Sequence, residues 1–265
     1  MDWGDGTYEL TAQQLMPASE RAVALCAPRV GEKVMDLGCG TGNATILLAE
    51  SGATIVGVDP TPRLLGVATE RVRDAGFAAE FILAGAEKLP FADSSFDALV
   101  SVFALIFTPD PPAAAREIDR VLTRDSRAVI TSWLPAGAFF SIGAIRRRFM
   151  IEVGALAADA PTPFPWSDTA TVANLFGPLG FELTANVGSI EFSSTSVAEY
   201  AQQYEVNPLM TDARRFLEPA GRWEEMTAEI VRTLGEFNED AGAFKATSPY
   251  VLYTLNKTGE RGSHA

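Results

Sequence analysis

Histidine and cysteine are nearly missing from this chain of 265 residues, which has one histidine, His264, and two cysteines, Cys26 and Cys39. That scarcity excludes a Cys/His zinc framework and a disulfide scaffold, since both need several such residues at fixed spacing. The chain therefore reads as reduced, metal-free and cytoplasmic. Basic residues are also short, 21 Lys plus Arg against 34 Asp plus Glu, giving a formal net charge of −13. Nucleic-acid partners are bound through clustered cations, so none is expected here. The densest basic run, Arg146-Arg147-Arg148, lies between Ile145 and Phe149 and reads as a solvated helix face. No apolar run approaches the ~20 residues that span a bilayer. The first residues, Met1 to Asp5, lack the basic and apolar regions of a secretion signal, and no membrane association is expected. Internal repeats and low-complexity tracts are absent too.

What remains is a chain with 47% hydrophobic residues, the composition of a packed core. Its most informative segment is Val34-Met35-Asp36-Leu37-Gly38-Cys39-Gly40-Thr41-Gly42-Asn43. This reads as a buried strand that stops at an acid, turns on alternating glycines and enters a helix. Glycine tolerates the positive φ of such a turn and leaves room for a ligand near the backbone. A second strand, Thr54 to Val58, ends at Asp59. A carboxylate about 20 residues beyond a glycine turn is placed to accept the hydroxyls of a ribose. The spacing here is G-x-G-x-G and not the G-x-G-x-x-G of dinucleotide sites, and no Lys or Arg is near the turn in sequence. The acid Asp36 would repel a pyrophosphate and suits a ligand with positive charge.

On these residues the segment resembles motif I of the class I S-adenosylmethionine-dependent methyltransferases, D-x-G-x-G-x-G. The resemblance continues in order and spacing to about residue 135. Ala84 to Phe91 resembles the family's adenine loop, Ser95 to Ser101 its fourth strand, Ala115 to Leu122 the following helix, and Ala128 to Trp133 its fifth strand. The small-molecule branch (methyltransferase type 11, with ubiquinone and menaquinone biosynthesis methyltransferases and secondary-metabolism enzymes) is the nearest pattern. The resemblance implies an α/β fold with a Rossmann-like, seven-stranded, mostly parallel sheet. Its last strand is antiparallel beside the fifth, and helices cover both faces. It also implies S-adenosylmethionine as cofactor and S-adenosylhomocysteine as product.

Strands are expected near 33–37, 54–58, 80–84, 96–101, 127–133, 181–192 and 250–255, alternating with helices. An amphipathic helix is expected over 11–27, with Pro17 at a helix start or a break because a mid-helix proline is costly, and a helix over 168–179. Residues 196–240 read as helical in two pieces, broken near Pro219-Ala220-Gly221. Thr61-Pro62 and Asp110-Pro111 carry the N-cap–proline signature of helix starts. One methyltransferase domain over 1–265 is expected, with an N-terminal helical segment at 1–30 and a cofactor-binding core at 31–134. Residues 135–180 and 193–248 form a helical cap, and the last two strands fall at 181–192 and 249–256. A cap that excludes water favours a small substrate.

The resemblance carries cofactor contact to Asp36, Gly38, Cys39, Gly40, Thr41 and Gly42, and to Asp59, Pro60, Thr61 and Leu64. It does the same for Gly85, Ala86, Glu87, Ser101, Val102, Phe103 and, from the N-terminal segment, Tyr8. Two departures stand out. The family's adenine loop offers an Asp where this chain has Gly85, and its histidine pair after the fourth strand is replaced by Ile106-Phe107. His264 lies in the tail and is not expected to be catalytic, and no general base is identified. Phe107, Trp133, Phe139, Phe140, Trp166, Tyr200 and Tyr204 are the candidates for lining an acceptor pocket, aromatic faces being suited to a flat or apolar substrate. The implied activity is methyl transfer to a small metabolite by a monomer or homodimer. Two rivals stay open: a non-methylating reaction assisted by the same cofactor, and a cofactor-sensing or partner subunit.

Overall fold

Five apolar-rich residues, Lys33–Leu37, form β1, and its last four are buried. Such a run, buried on both faces, belongs in the middle of a parallel sheet. A computed structural model, describing residues 3–159 and 164–258, places it there. In chain order the elements are α1 (Glu9–Gln14), α2 (Met16–Cys26), β1, α3 (Asn43–Ala49), β2 (Thr54–Asp59), α4 (Pro62–Asp74), β3 (Glu80–Leu83) and β4 (Phe96–Ser101). Then follow α5 (Pro111–Val121), β5 (Leu122–Trp133), α6 (Gly137–Glu152), α7 (Thr169–Phe176), β6 (Phe181–Ser194), α8 (Val197–Tyr204), α9 (Pro208–Leu217), α10 (Trp223–Glu236) and β7 (Phe244–Lys257).

The seven strands form one sheet in the order β3-β2-β1-β4-β5-β7-β6. β1 pairs in parallel with β2 and β4, with Asp36 level with Gly57 on one side and Val100 on the other. β3 and β5 extend the parallel part, and the end of the sheet is antiparallel. The Rossmann-like α/β sheet expected from the sequence is thus present.

By their packing the described residues divide into two units. One comprises 16–132, 164–188 and 250–258. Its centre is Val34, Met35, Leu48, Ile55, Val56, Val58, Leu99 and Val100, all at most 1% exposed. Burying each such side chain is worth about 1.5–3 kcal/mol. α4 contributes Leu64, Ala68 and Val72, a stripe at four-residue spacing. The other unit comprises 3–15, 133–159 and 189–249. It contains α1, α6, α8, α9 and α10 around an aromatic centre of Phe139, Phe192, Tyr200, Tyr204 and Phe244. Among the described residues no helix is long and apolar enough to cross a membrane.

Several boundaries differ from the sequence expectation. The helix expected over 11–27 is two helices parted at Leu15, and Pro17 falls in the first turn of α2, where its missing N–H costs nothing. The helical passage 196–240 has a further break. Asn207 caps α9 by accepting the Leu209 N–H at 2.9 Å, and Pro208 takes the first helical position. β5 begins at Leu122 and is interrupted before Arg127, where Asp125 adopts φ +59°. β7 begins at Phe244, earlier than expected, because Pro249 disguises the first half of the strand. Asp110 caps α5 as expected, receiving the Ala113 N–H at 2.9 Å. The Thr61 side chain does not cap α4, because it is engaged by Asp59 instead.

Candidate active site

Gly38, Gly40 and Gly42 all adopt positive φ, of +70°, +53° and +84°. The turn they form is tied to β2. Both Gly38 and Cys39 donate their N–H groups to the Val58 carbonyl, at 2.7 and 3.0 Å, and Gly42 donates to the Cys39 carbonyl at 2.9 Å. Gly40 donates to Asp59 Oδ2 at 3.0 Å. These four N–H groups therefore do not form the outward-facing nest that binds a pyrophosphate. Gly38 also packs closely against the segment after β4, where a Cβ on this glycine would lie 2.1 Å from Ala104 Cβ.

Asp59 holds the centre of the arrangement. Besides Gly40, it accepts the Thr61 N–H on Oδ1 at 2.8 Å, and the Thr61 hydroxyl also bonds to it. Two fixed backbone donors orient the carboxylate. A carboxylate has about four acceptor positions; three are engaged, so one remains for a ribose hydroxyl. Burial pushes its pKa above the usual carboxylate range, and the Gly40 and Thr61 bonds oppose that shift. Pro60 is exposed, whereas Thr61 and Leu64 are buried at the start of α4.

Asp36 is 1% exposed and accepts the Thr45 hydroxyl on Oδ2 at 2.6 Å. Burial pushes its pKa up to about 7, the Thr45 bond opposes this, and repulsion from Asp59 adds to it. It binds α3 to the end of β1. Cys39 is buried beside the same acids, and burial raises its thiol well above the ordinary range, so it is an unreactive neighbour.

Arg71, thirty positions beyond the turn, is the basic residue that sequence spacing concealed. From α4 its Nη1 donates to the Thr41 carbonyl at 2.6 Å, to Thr41 Oγ1 at 3.1 Å and to Asn43 Oδ1 at 2.9 Å. The guanidinium holds the exit of the glycine turn through its carbonyl side. It was missed because its helix partners are separated from it by a whole βα unit.

The adenine-loop residues Gly85, Ala86 and Glu87 follow β3, and the loop is anchored by Ala84 N–H to the Asp59 carbonyl at 3.2 Å. Glu87 accepts a short hydrogen bond from the Thr108 hydroxyl. At the end of β4, Ser101 Oγ donates to the Leu37 carbonyl at 2.8 Å. Val102 is half-buried there. Phe103 adopts φ +54° and is held by its N–H on Thr131 Oγ1 at 2.8 Å. Its ring meets Tyr250 edge-on at 5.4 Å.

Among the proposed acceptor residues, Trp133, Phe139, Tyr200 and Tyr204 come together in the second unit. Trp133 stacks on Phe139 at 5.3 Å, Phe139 meets Tyr204 edge-on at 5.6 Å, and Tyr200 stacks with Tyr204 at 6.5 Å. Phe192 and Phe244, unnamed in the sequence reading, complete this group. Phe140 and Phe107 are exposed, and Trp166 is buried against Phe164 in the other unit. Tyr8 lies at the start of α1 in the second unit, edge-on to Trp3 at 5.6 Å. His264 lies outside the described residues. Among the described residues no cluster of His, Cys, Asp or Glu could hold a metal ion.

The donor set fits an adenosyl sulfonium. An acceptor for a ribose hydroxyl stands at Asp59, the Gly38, Cys39, Gly40 and Gly42 N–H groups are all engaged within the protein, and two acids, Asp36 and Asp59, are buried beside the turn. Comparison with known proteins agrees. Residues 35–130 match the model of the methyltransferase domain family. An uncharacterised protein of Mycobacterium tuberculosis is 32% identical over 203 residues, 76% of this chain and 73% of that protein. The demethylmenaquinone methyltransferase of Thermus thermophilus is 35% identical over 123 residues, 45% of this chain and 56% of that protein. The crystal structure of the YcgJ protein of Bacillus subtilis superposes with a TM-score of 0.62 at 18% identity, covering 94% of this chain and all of that one. The chain belongs to the class I S-adenosylmethionine-dependent methyltransferases.

Proposed function

We propose that this enzyme methylates a small, apolar or aromatic metabolite by in-line displacement and releases S-adenosylhomocysteine. The cofactor supplies an electrophilic methyl carbon whose leaving group departs uncharged, so the protein need not provide an acid. Its own residues bind and orient. The observation that carries the reading is Asp59, a carboxylate fixed by the Gly40 N–H and by the Thr61 N–H and hydroxyl at the end of β2, with an acceptor position left for a ribose hydroxyl. Holding two reactants in line is itself a large part of the acceleration available to such a reaction. The chain's only histidine is in the tail, so no histidine base enters the proposal. In the second unit the half-buried rings of Trp133 and Phe139, backed by the buried Phe192, Tyr200, Tyr204 and Phe244, are the aromatic faces suited to such an acceptor.

The test is transfer of labelled methyl from S-adenosylmethionine to a panel of hydrophobic phenols, quinols, amines and carbon acids. Labelled product should appear in step with S-adenosylhomocysteine, and product analysis identifies the acceptor atom. Asp59→Ala should lower kcat/KM by on the order of ten- to a hundredfold, the loss of a hydrogen bond to a charged acceptor. Tight binding of S-adenosylhomocysteine without labelled product from any class would contradict the proposal.

A further inference from the structure

Arg146-Arg147-Arg148 reads in the sequence as one solvated helix face, but the structure separates the three residues. Arg148 is exposed and pairs with Glu152 at 2.9 Å and Glu229 at 2.6 Å. Arg146 instead continues the inward stripe of α6, at three- and four-residue spacing with Phe139, Ile142, Phe149 and Met150. Ile142, Phe149 and Met150 are buried, and Arg146 is half-buried among them. Long helical side chains lean toward the helix N-terminus, so its guanidinium reaches back toward Tyr204, whose ring Phe139 meets edge-on at 5.6 Å. The electrostatic coupling of Arg146 with Tyr204 reflects that proximity.

This cation has no partner of its own. Arg214, Arg215 and Arg222 of the same unit each pair with a carboxylate, at 3.2, 2.7 and 2.8 Å. Among the described residues Arg146 makes no ion pair, hydrogen bond or ring contact. Burial lowers its pKa, Tyr204 and Asp212 of α9 oppose this from beyond bonding distance, and Arg147 repels it. Tyr200, one turn before Tyr204 in α8, is 2% exposed, and its hydroxyl has no hydrogen-bond partner. The two tyrosine rings are stacked with planes 9° apart. Burial raises the pKa of both, that of Tyr204 to about 12, so both hydroxyls keep their protons and remain donors. A cation and a buried donor left unmatched are costly, and an anion between them removes that cost.

We infer that Arg146, Tyr204 and Tyr200 form an oxyanion subsite within the second unit that takes a carboxylate of the methyl acceptor, so that the substrate is an aromatic acid. The inference rests on the methyl-transfer reading above and narrows its substrate class. A guanidinium presents a planar fork that matches a carboxylate with two parallel hydrogen bonds. The hydroxyls add donors, and the half-buried rings of Trp133 and Phe139 face the apolar body of such an acid. A phosphate dianion is a poorer match, because one cation faces two charges in a chain of net charge −13. A site that bonds a substrate group rejects the analogue lacking it, since its own polar atoms are then left unpaired.

The experiment is calorimetric binding of naphthoate and cinnamate, each beside its own carboxamide, to protein saturated with S-adenosylhomocysteine. The wild-type protein should favour each acid over its amide by roughly tenfold or more, the effect of a hydrogen bond to a charged group. Arg146→Gln should erase that ratio by weakening the acid and sparing the amide, whereas Arg146→Lys should keep part of it. Tyr200→Phe should lower the ratio less. Affinity for S-adenosylhomocysteine should be the same in Arg146→Gln as in wild type. Without ligand this variant should melt no lower than wild type, because no ion pair is lost, and excess naphthoate should raise Tm in the wild type alone. A wild-type protein that binds S-adenosylhomocysteine but prefers neither acid would overturn the subsite and leave the cofactor reading standing. So would an Arg146→Gln variant that keeps the preference, or one that melts well below wild type without ligand. Failure of the wild-type protein to bind S-adenosylhomocysteine would overturn both.

Discussion

A carboxyl group that is 1% exposed, bonded to one hydroxyl and facing a second acid is held under electrostatic tension. Asp36 is that group. Its pKa stands at about 7, raised from 3.8, so the folded protein holds the proton more tightly than the unfolded chain. The sign follows directly. This contribution to stability is complete below the unfolded value near pH 4 and is lost as the pH rises through about 7. Asp36→Asn keeps an acceptor for Thr45 and removes the charge. Relative to wild type it should be nearly neutral at pH 4 and stabilising at pH 8, by on the order of 1–4 kcal/mol. Chemical denaturation across that range measures the difference, and a gap that does not widen with pH contradicts the assignment. Glu32, whose carboxyl is held below its usual range by Arg127, acts in the opposite direction, so only the difference between the two proteins isolates Asp36.

Among the elements, the C-terminal end of α2, whose Ala18, Ala22 and Cys26 are buried, is also tied to the sheet by one guanidinium. Arg127 of β5 pairs with both Glu32 oxygens, at 3.0 and 2.7 Å, and donates to the Cys26 and Ala27 carbonyls at the end of α2, the latter at 2.8 Å. Each partner's side chain is about 15% exposed, so solvent screens the pair little. Arg127→Ala should cost about 2–3 kcal/mol, because it strands both Glu32 and the helix-end carbonyls. A change below ~0.5 kcal/mol in chemical denaturation would show the bond to be incidental. This attachment could not be read from the sequence, since Arg127 and Cys26 are a hundred positions apart. The parallel core could be read, because Val34 to Leu37 and Phe96 to Ser101 are short apolar runs bounded by turn residues. The breaks in the helices carry local signals. Asn207-Pro208 carries the same signature as Asp110-Pro111 and was readable, and the parting at Leu15 was signalled by Pro17, which the structure puts in the first turn of α2. β7 was shortened in the reading by Pro249, whose local preference the sheet overrides.

For the molecule as a whole, the candidate site was legible where ligand-facing chemistry is local, at the glycine turn and Asp59, and obscure where it depends on distant partners. Thr45, Arg71, Thr108 and Thr131 each reach the site from another element, and no local pattern announces the partner each one binds. The acceptor residues were legible only as a composition of aromatics, of which the structure gathers Trp133, Phe139, Tyr200 and Tyr204 but not Phe107, Phe140 or Trp166. The strongly acidic surface leaves the choice of a cationic cofactor electrostatically unopposed. The account turns on one site made by the glycine turn and Asp59, and direct titration tests it. Calorimetry of the wild-type protein with S-adenosylhomocysteine should give one site per chain, with affinity falling at least tenfold in Asp59→Ala and no binding of a nicotinamide dinucleotide. Equal affinity in the two proteins, or heat from the dinucleotide and none from S-adenosylhomocysteine, would contradict it.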